Sequence, residues 1–210
     1  MKVLHIIPSA FNYFDDIRAE AFELVEGLHR LGVEADAFTL QYGSAGASKR
    51  YEGQVKEVAP SRHFAGTVRG EELVASFGEY DLIHVHCPFF GAARGVLHWK
   101  ELNPKIPLVA TYHRAFVATD LFGWCIKWYS DYYLPKILSV ADAVVYEPRD
   151  AANAVVKYVK DSRKLVELNS SANFLGVDLS GALSEFKLGT KELLALKYKM
   201  LYNEVTGGVS

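Results

Sequence analysis

Three histidines stand where this sequence could do chemistry: His84 and His86, two residues apart, and His113, which precedes Arg114. An imidazole can hydrogen-bond a hydroxyl group, shuttle a proton or ligate a metal. His84 and His86 share one face if the segment is a strand, and with Cys87 and His113 they contain imidazole and thiolate groups that suit zinc. Alternating residues of this kind more often line and hydrogen-bond a cleft wall, so no metal is expected. Asn12, Asp15, Asp16 and Glu147 complete the polar set. Cys87 and Cys125 have no neighbour that marks a nucleophile and read as small buried hydrophobes.

The elements around these residues follow a repeating rhythm. Val3 to Ile7, closed by Pro8, is a short apolar strand of the kind buried on both faces of a parallel sheet. Ile17, Ala21, Leu24, Leu28 and Leu31 recur at helical spacing, and Gly32 stops that helix. Val33 to Leu40 returns as a strand, which makes a βαβ unit with a right-handed crossover. Residues 41–49 read as a loop and 54–58 as a short strand. Asp81 to His86 is a strand, Gly91 to Leu102 a helix and Ile106 to Tyr112 a strand. Leu121 to Leu138 is an aromatic-rich helix, Ala143 to Tyr146 a strand, Asp150 to Val159 a helix and Lys164 to Leu168 a last strand. The fold class expected is α/β: a single doubly wound, mostly parallel Rossmann-like domain. In such a sheet, ligands sit beyond the carboxyl ends of the strands. Asn12, Asp15, Asp16, His84, His86, His113, Arg114 and Glu147 all fall there.

Composition narrows the function classes. The 210 residues are half hydrophobic and 23% charged, enough for one large domain with an appendage. A formal charge of −2 removes the global basic field of a nucleic-acid binder. Two cysteines make no disulfide scaffold, and no window is long enough to span a membrane, so a cytoplasmic location is expected. No Gly-x-Gly-x-x-Gly follows the first strand, which disfavours a dinucleotide enzyme; no cofactor is expected.

Five pieces, in order, resemble a known family: Lys2 to Pro8, Glu26 to Gly32, Tyr80 to His86, Ile106 to His113 and Val140 to Val145. Together they are similar to the amino-terminal, acceptor-side domain of family 4 retaining glycosyltransferases, enzymes of the B-type, two-Rossmann fold. The resemblance covers residues 1 to 178, with Gly176-Val177-Asp178 echoing the close of that domain. It implies a facing second domain that binds the nucleotide sugar, and that domain's Arg, Lys and Glu-x7-Glu residues have no counterpart here. Glu26 with Glu34 and Glu71 with Glu79 have the spacing but lie in the first domain and match by chance. Lys191 to Tyr202 resembles the family's terminal helix, which crosses back onto the first domain; Thr190 is expected to cap it, and Leu194, Tyr198 and Leu201 to share its inner face. The expected division is a Rossmann domain at 1–180 and a linker with a C-terminal helix at 181–210.

The resemblance implies that His113 is the catalytic histidine near the transferred sugar. Asn12, Asp15, Asp16, His86 and Arg114 are the expected acceptor-binding residues, although Arg114 is expected mainly to pair with Asp120. Asp15-Asp16 occupies the place of the family's Gly-Gly loop, whose bare N–H groups meet the donor diphosphate. Two carboxylates there repel phosphate, or simply favour a helix N-terminus. The partners expected are a sugar or glycan acceptor and a separate donor-domain chain, with no nucleic acid. A homodimer or hetero-complex through residues 121 to 133 is a further expectation. Peripheral membrane contact is not favoured, and the aromatics Trp124, Trp128 and Tyr132 read first as core. Two functions compete: the acceptor-side half of a glycosyl-transfer enzyme, and a noncatalytic carbohydrate-binding or assembly protein.

Overall fold

Short β-branched runs alternate with amphipathic stripes along the chain, and each run becomes a strand. The computed structural model describes residues 1–8, 12–40, 55–58, 77, 79–146, 152–168, 171–181 and 189–207. In order come β1 (Lys2–Ile7), α1 (Asp15–Arg30), β2 (Glu34–Leu40), β3 (Val55–Val58), β4 (Leu82–Cys87), α2 (Ala93–Leu102), β5 (Leu108–Tyr112), α3 (Leu121–Val140), β6 (Ala143–Tyr146), α4 (Ala152–Tyr158) and β7 (Leu165–Glu167). The strands pair as β3-β2-β1-β4-β5-β6-β7, every neighbouring pair parallel. The order reverses between β1 and β4, the position where doubly wound sheets open a crevice.

Each sheet face has its own core. Leu4, Ile6, Ile83, Val85, Leu108, Ala110 and Val144 point one way and pack with Val96 and Trp99 of α2 and Ile126 and Ile137 of α3. Val3, Ile7, Leu82, Val109 and Val145 point the other way, toward Ala21, Leu24, Val25 and Leu28 of α1. That second face is completed by α5 (Thr190–Val205), which buries Leu193, Ala195, Tyr198, Leu201 and Tyr202. A Cβ on Gly27 would sit 2.8 Å from that of Ala195, so the absent side chain lets α1 and α5 approach. Lys197 of α5, itself buried, donates to the Ser171 carbonyl at 2.7 Å.

Several details depart from the sequence reading. Gly189 occupies the N-cap position of α5 and Thr190 is already helical, with no side-chain cap. Residues 173–178, which carry little strand pattern, form a hairpin of β8 (Asn173–Phe174) and β9 (Val177–Asp178). Its two turn residues, Leu175 and Gly176, have φ of 50° and 76°, as a two-residue type I′ turn requires. Trp124 and Trp128 are not core: they are 62% and 71% exposed, in a row with Leu121 and Tyr132, while Ile126 and Tyr129 take the inner face. Aromatic and aliphatic residues fall on every side of the helix, with only Lys127, Asp131 and Lys136 charged, so its pattern could not say which side faces inward. Cys125 is likewise exposed, while Cys87 is buried. Among the described residues, no helix is long and apolar enough to cross a membrane.

Candidate functional site

Parallel pairing brings the carboxyl ends of β4, β5 and β6 to one edge. His86 is the penultimate residue of β4 and is registered with Thr111 of β5; His113 follows β5, its backbone N–H donating to the Cys87 carbonyl at 2.9 Å. The imidazoles therefore meet, His86 Nδ1 lying 3.0 Å from His113 Nε2. The other His113 nitrogen, Nδ1, lies 3.0 Å from a carboxylate oxygen of Glu20 on α1.

Behind this pair the contacts continue into the core. His86 Nε2 lies 3.1 Å from Nδ1 of His5, on β1. His5 is registered with His84, which has the Tyr202 hydroxyl 2.6 Å from Nδ1 and the Thr111 hydroxyl 2.7 Å from Nε2. Thr111 in turn meets the Tyr198 hydroxyl at 2.8 Å, and the Tyr202 hydroxyl is 3.5 Å from His5 Nε2. Burial away from water disfavours a charged imidazole. It lowers His5 from 6.5 to about 3 and puts His84 and His86 well below 6.5, while raising the Tyr202 phenol. The cluster is thus neutral at pH 7. One nitrogen of each of His5, His84 and His86 lies within 4.8 Å of the others, a spacing a metal could bridge. Their ring nitrogens already have hydrogen-bond partners, which a metal would have to displace. The metal set considered from sequence also loses Cys87, which belongs to the opposite core.

A cavity of about 210 Å³ opens at this edge, lined by His86, His113, Glu20, Glu23, Lys191 and Tyr198 among others. A larger one of about 420 Å³ lies at the amino end of β6 and along β7, between Asp142, Arg163 and Glu204. The smaller is the better candidate, because ligands of doubly wound sheets bind beyond the carboxyl ends of strands. Lys191 donates to Glu23 at 2.7 Å across its rim.

The remaining site residues lie at the N-terminus of α1. Asp15 and Asp16 are its first two residues, and Asp15 pairs with Arg18 at 2.9 Å. Arg114 does not pair with Asp120. Its guanidinium donates twice to Asp16, at 2.6 and 2.9 Å, and holds that carboxyl below the usual range. Asp120 is taken by the Tyr13 hydroxyl and by the Gly123 N–H at the start of α3. Asn12 is exposed, and it, Asp15, Asp16 and Arg114 are not among the residues lining the cavity of His86 and His113. Glu147 falls outside the described residues. His5, Glu20, Lys191, Tyr198 and Tyr202 were missed as site residues. Tyr198 and Tyr202 are four apart on one helix face, and Glu20 is four beyond Asp16, so helical spacing held a signal for three of them.

The fold is that of a Rossmann-type domain, with a candidate cavity at the carboxyl ends of β4, β5 and β6 lined by α1 and α5. The chain belongs to Glycosyltransferase Family 4, whose model matches residues 21–167. A sucrose-phosphate synthase structure from Thermosynechococcus elongatus, described by the ranges 27–220 and 406–426, is similar over 98% of this chain and 99% of its own, with 15% identity and a TM-score of 0.53. The UDP co-structure of S. aureus MnaA is similar over 80% of this chain, with 14% identity and a TM-score of 0.51. An α-glucosyltransferase in complex with UDP is similar over 70% of this chain at 9% identity, with a TM-score of 0.49. The chain spans 35% of that α-glucosyltransferase and 43% of MnaA. A comparison with curated proteins gives no match.

Proposed function

We propose that this chain is the acceptor-side half of a glycosyl-transfer enzyme and works with a separate donor-binding chain. Residues 1–180 form the Rossmann half, and 181–210 link and return the helix that closes it. His113 contacts the reacting sugar. Glycosyl transfer depends on holding donor and acceptor together and on stabilising the departing phosphate. The observation that carries the reading is the α1 N-terminus, where an anion would be cradled: Asp15 and Asp16 stand there, and Asp16 also clasps the nearest arginine. The adjoining cavity, with imidazole, phenol, carboxylate and ammonium groups around Leu24 and Leu194, suits a hydroxyl-rich neutral ligand instead.

The match to a sucrose-phosphate synthase described by two separate ranges supports the view that the terminal helix belongs with the first domain. The rival, a noncatalytic carbohydrate-binding or assembly protein, draws support from His113, both of whose nitrogens are engaged. Titrating mono- and oligosaccharides into the full chain while following its histidine resonances tests the proposal. A saturable shift at His113, lost in His113→Ala, is expected. No shift with any carbohydrate up to solubility overturns the site assignment.

A further inference from the structure

The contacts from Glu20 to His5 have a direction. An ionised carboxylate only accepts hydrogen bonds, so Glu20 requires the proton of His113 on Nδ1. In neutral His113, Nε2 is then an acceptor and must receive Nδ1–H from His86. His86 Nε2 becomes an acceptor in turn and receives Nδ1–H from His5. A second proton on His86 or His5 would place a charge in the core, which their burial opposes. One choice at the cavity rim therefore fixes three rings, and none can change its tautomer alone without losing a hydrogen bond.

We propose that Glu20, His86 and His5 are positioning residues that fix the tautomer of His113, so that a ligand oxygen entering the cavity, a hydroxyl or ring oxygen of a carbohydrate, displaces the exposed Glu20 carboxylate and accepts the Nδ1–H already in place. The ligand class rests on the acceptor-side reading above; the tautomer does not. His113 then serves as a donor to substrate oxygen and not as the base that removes an acceptor proton. The other charged and titratable groups lining the cavity with Glu20, His86 and His113 are Glu23 on α1, Tyr112 on β5, Tyr146 on β6, and Lys191 and Tyr198 on α5. Glu23 and Lys191 pair with each other, which leaves Glu20 as the carboxylate that sets the direction.

The test is long-range proton–nitrogen correlation on the full chain labelled with ¹⁵N-histidine at pH 7.5. His113, His86 and His5 should all show the Nδ1–H tautomer, the one free histidine disfavours. An Nε2–H tautomer at His113 or His86 overturns the proposal. In Glu20→Lys the rim group becomes a donor, and all three rings should switch together to Nε2–H. His113 switching alone, or no switch in a folded Glu20→Lys chain, also overturns it; if that variant does not fold, the wild-type spectrum decides. Failure of carbohydrates to bind would leave the tautomers as they are and count against the acceptor-side reading alone.

Discussion

Lowering the pH from 8 to 5 should remove several kcal/mol from the stability of this fold, because the core histidines refuse the protons that the unfolded chain accepts. Unfolded, each titrates near 6.5; folded, burial holds His5 at about 3 and His84 and His86 well below 6.5. Below pH 6.5 the unfolded state binds more protons than the native state, so stability falls as the pH falls through that value. For His5 the loss continues to about pH 3 and totals about 5 kcal/mol, from 6.5 minus 3 at about 1.4 kcal/mol per pH unit. At pH 5 His5, still neutral in the fold, has removed about 2 kcal/mol, and His84 and His86, shifted in the same direction, add to the loss. The His5 loss alone is a sizeable part of the whole stability of an ordinary domain, about 5–15 kcal/mol. The carboxyls that the fold favours, such as Asp16 with an ordinary value of 3.8, titrate below this window and leave it to the histidines. Urea unfolding at pH 8, 6.5, 5.5 and 5 measures the effect. A free energy constant to within about 1 kcal/mol across that range would show that the cluster takes up protons without cost, and would refute the neutral network.

Two further outcomes follow from packing and exposure. Deleting residues 190–210 should lower the melting temperature, since Leu193, Tyr198, Leu201 and Tyr202 each bury about 1.5–3 kcal/mol of apolar contact; an unchanged melt would mean that α5 does not hold the fold. The row of Leu121, Trp124, Trp128 and Tyr132 is an apolar surface that monomers rarely leave bare. The chain should sediment as a dimer or complex that Trp124→Ser with Trp128→Ser dissociates, and a clean wild-type monomer at high concentration would contradict this.

The centre of the sheet was legible in the sequence because β1, β4, β5 and β6 are short, mostly apolar runs closed by Pro or a polar residue, and because Ile17, Ala21, Leu24 and Leu28 repeat at helical spacing. His86 and His113 were legible as neighbours because both stand at strand ends. Arg114 was assigned to the wrong acid because nearness in sequence favoured Asp120, whereas the βαβ crossover delivers Asp16 from α1. His5 looked like one more strand residue. Its role depends on β1 lying beside β4 in a register that pairs it with His84, and no local pattern carries that. Tyr202 fell outside the site because α5 arrives from the far end of the chain, and only docking shows that its hydroxyl reaches the imidazoles.

Titration calorimetry of the full chain with uridine, guanosine and adenosine diphosphate sugars tests the central claim most directly. A diphosphate needs two or three charge-assisted hydrogen bonds, each worth roughly 1.5–3 kcal/mol, so replacing their donors by Asp15 and Asp16 is worth several powers of ten in affinity. The account predicts nothing tighter than millimolar for any of the three. Micromolar binding of one of them would contradict it, and would place the donor site on this chain.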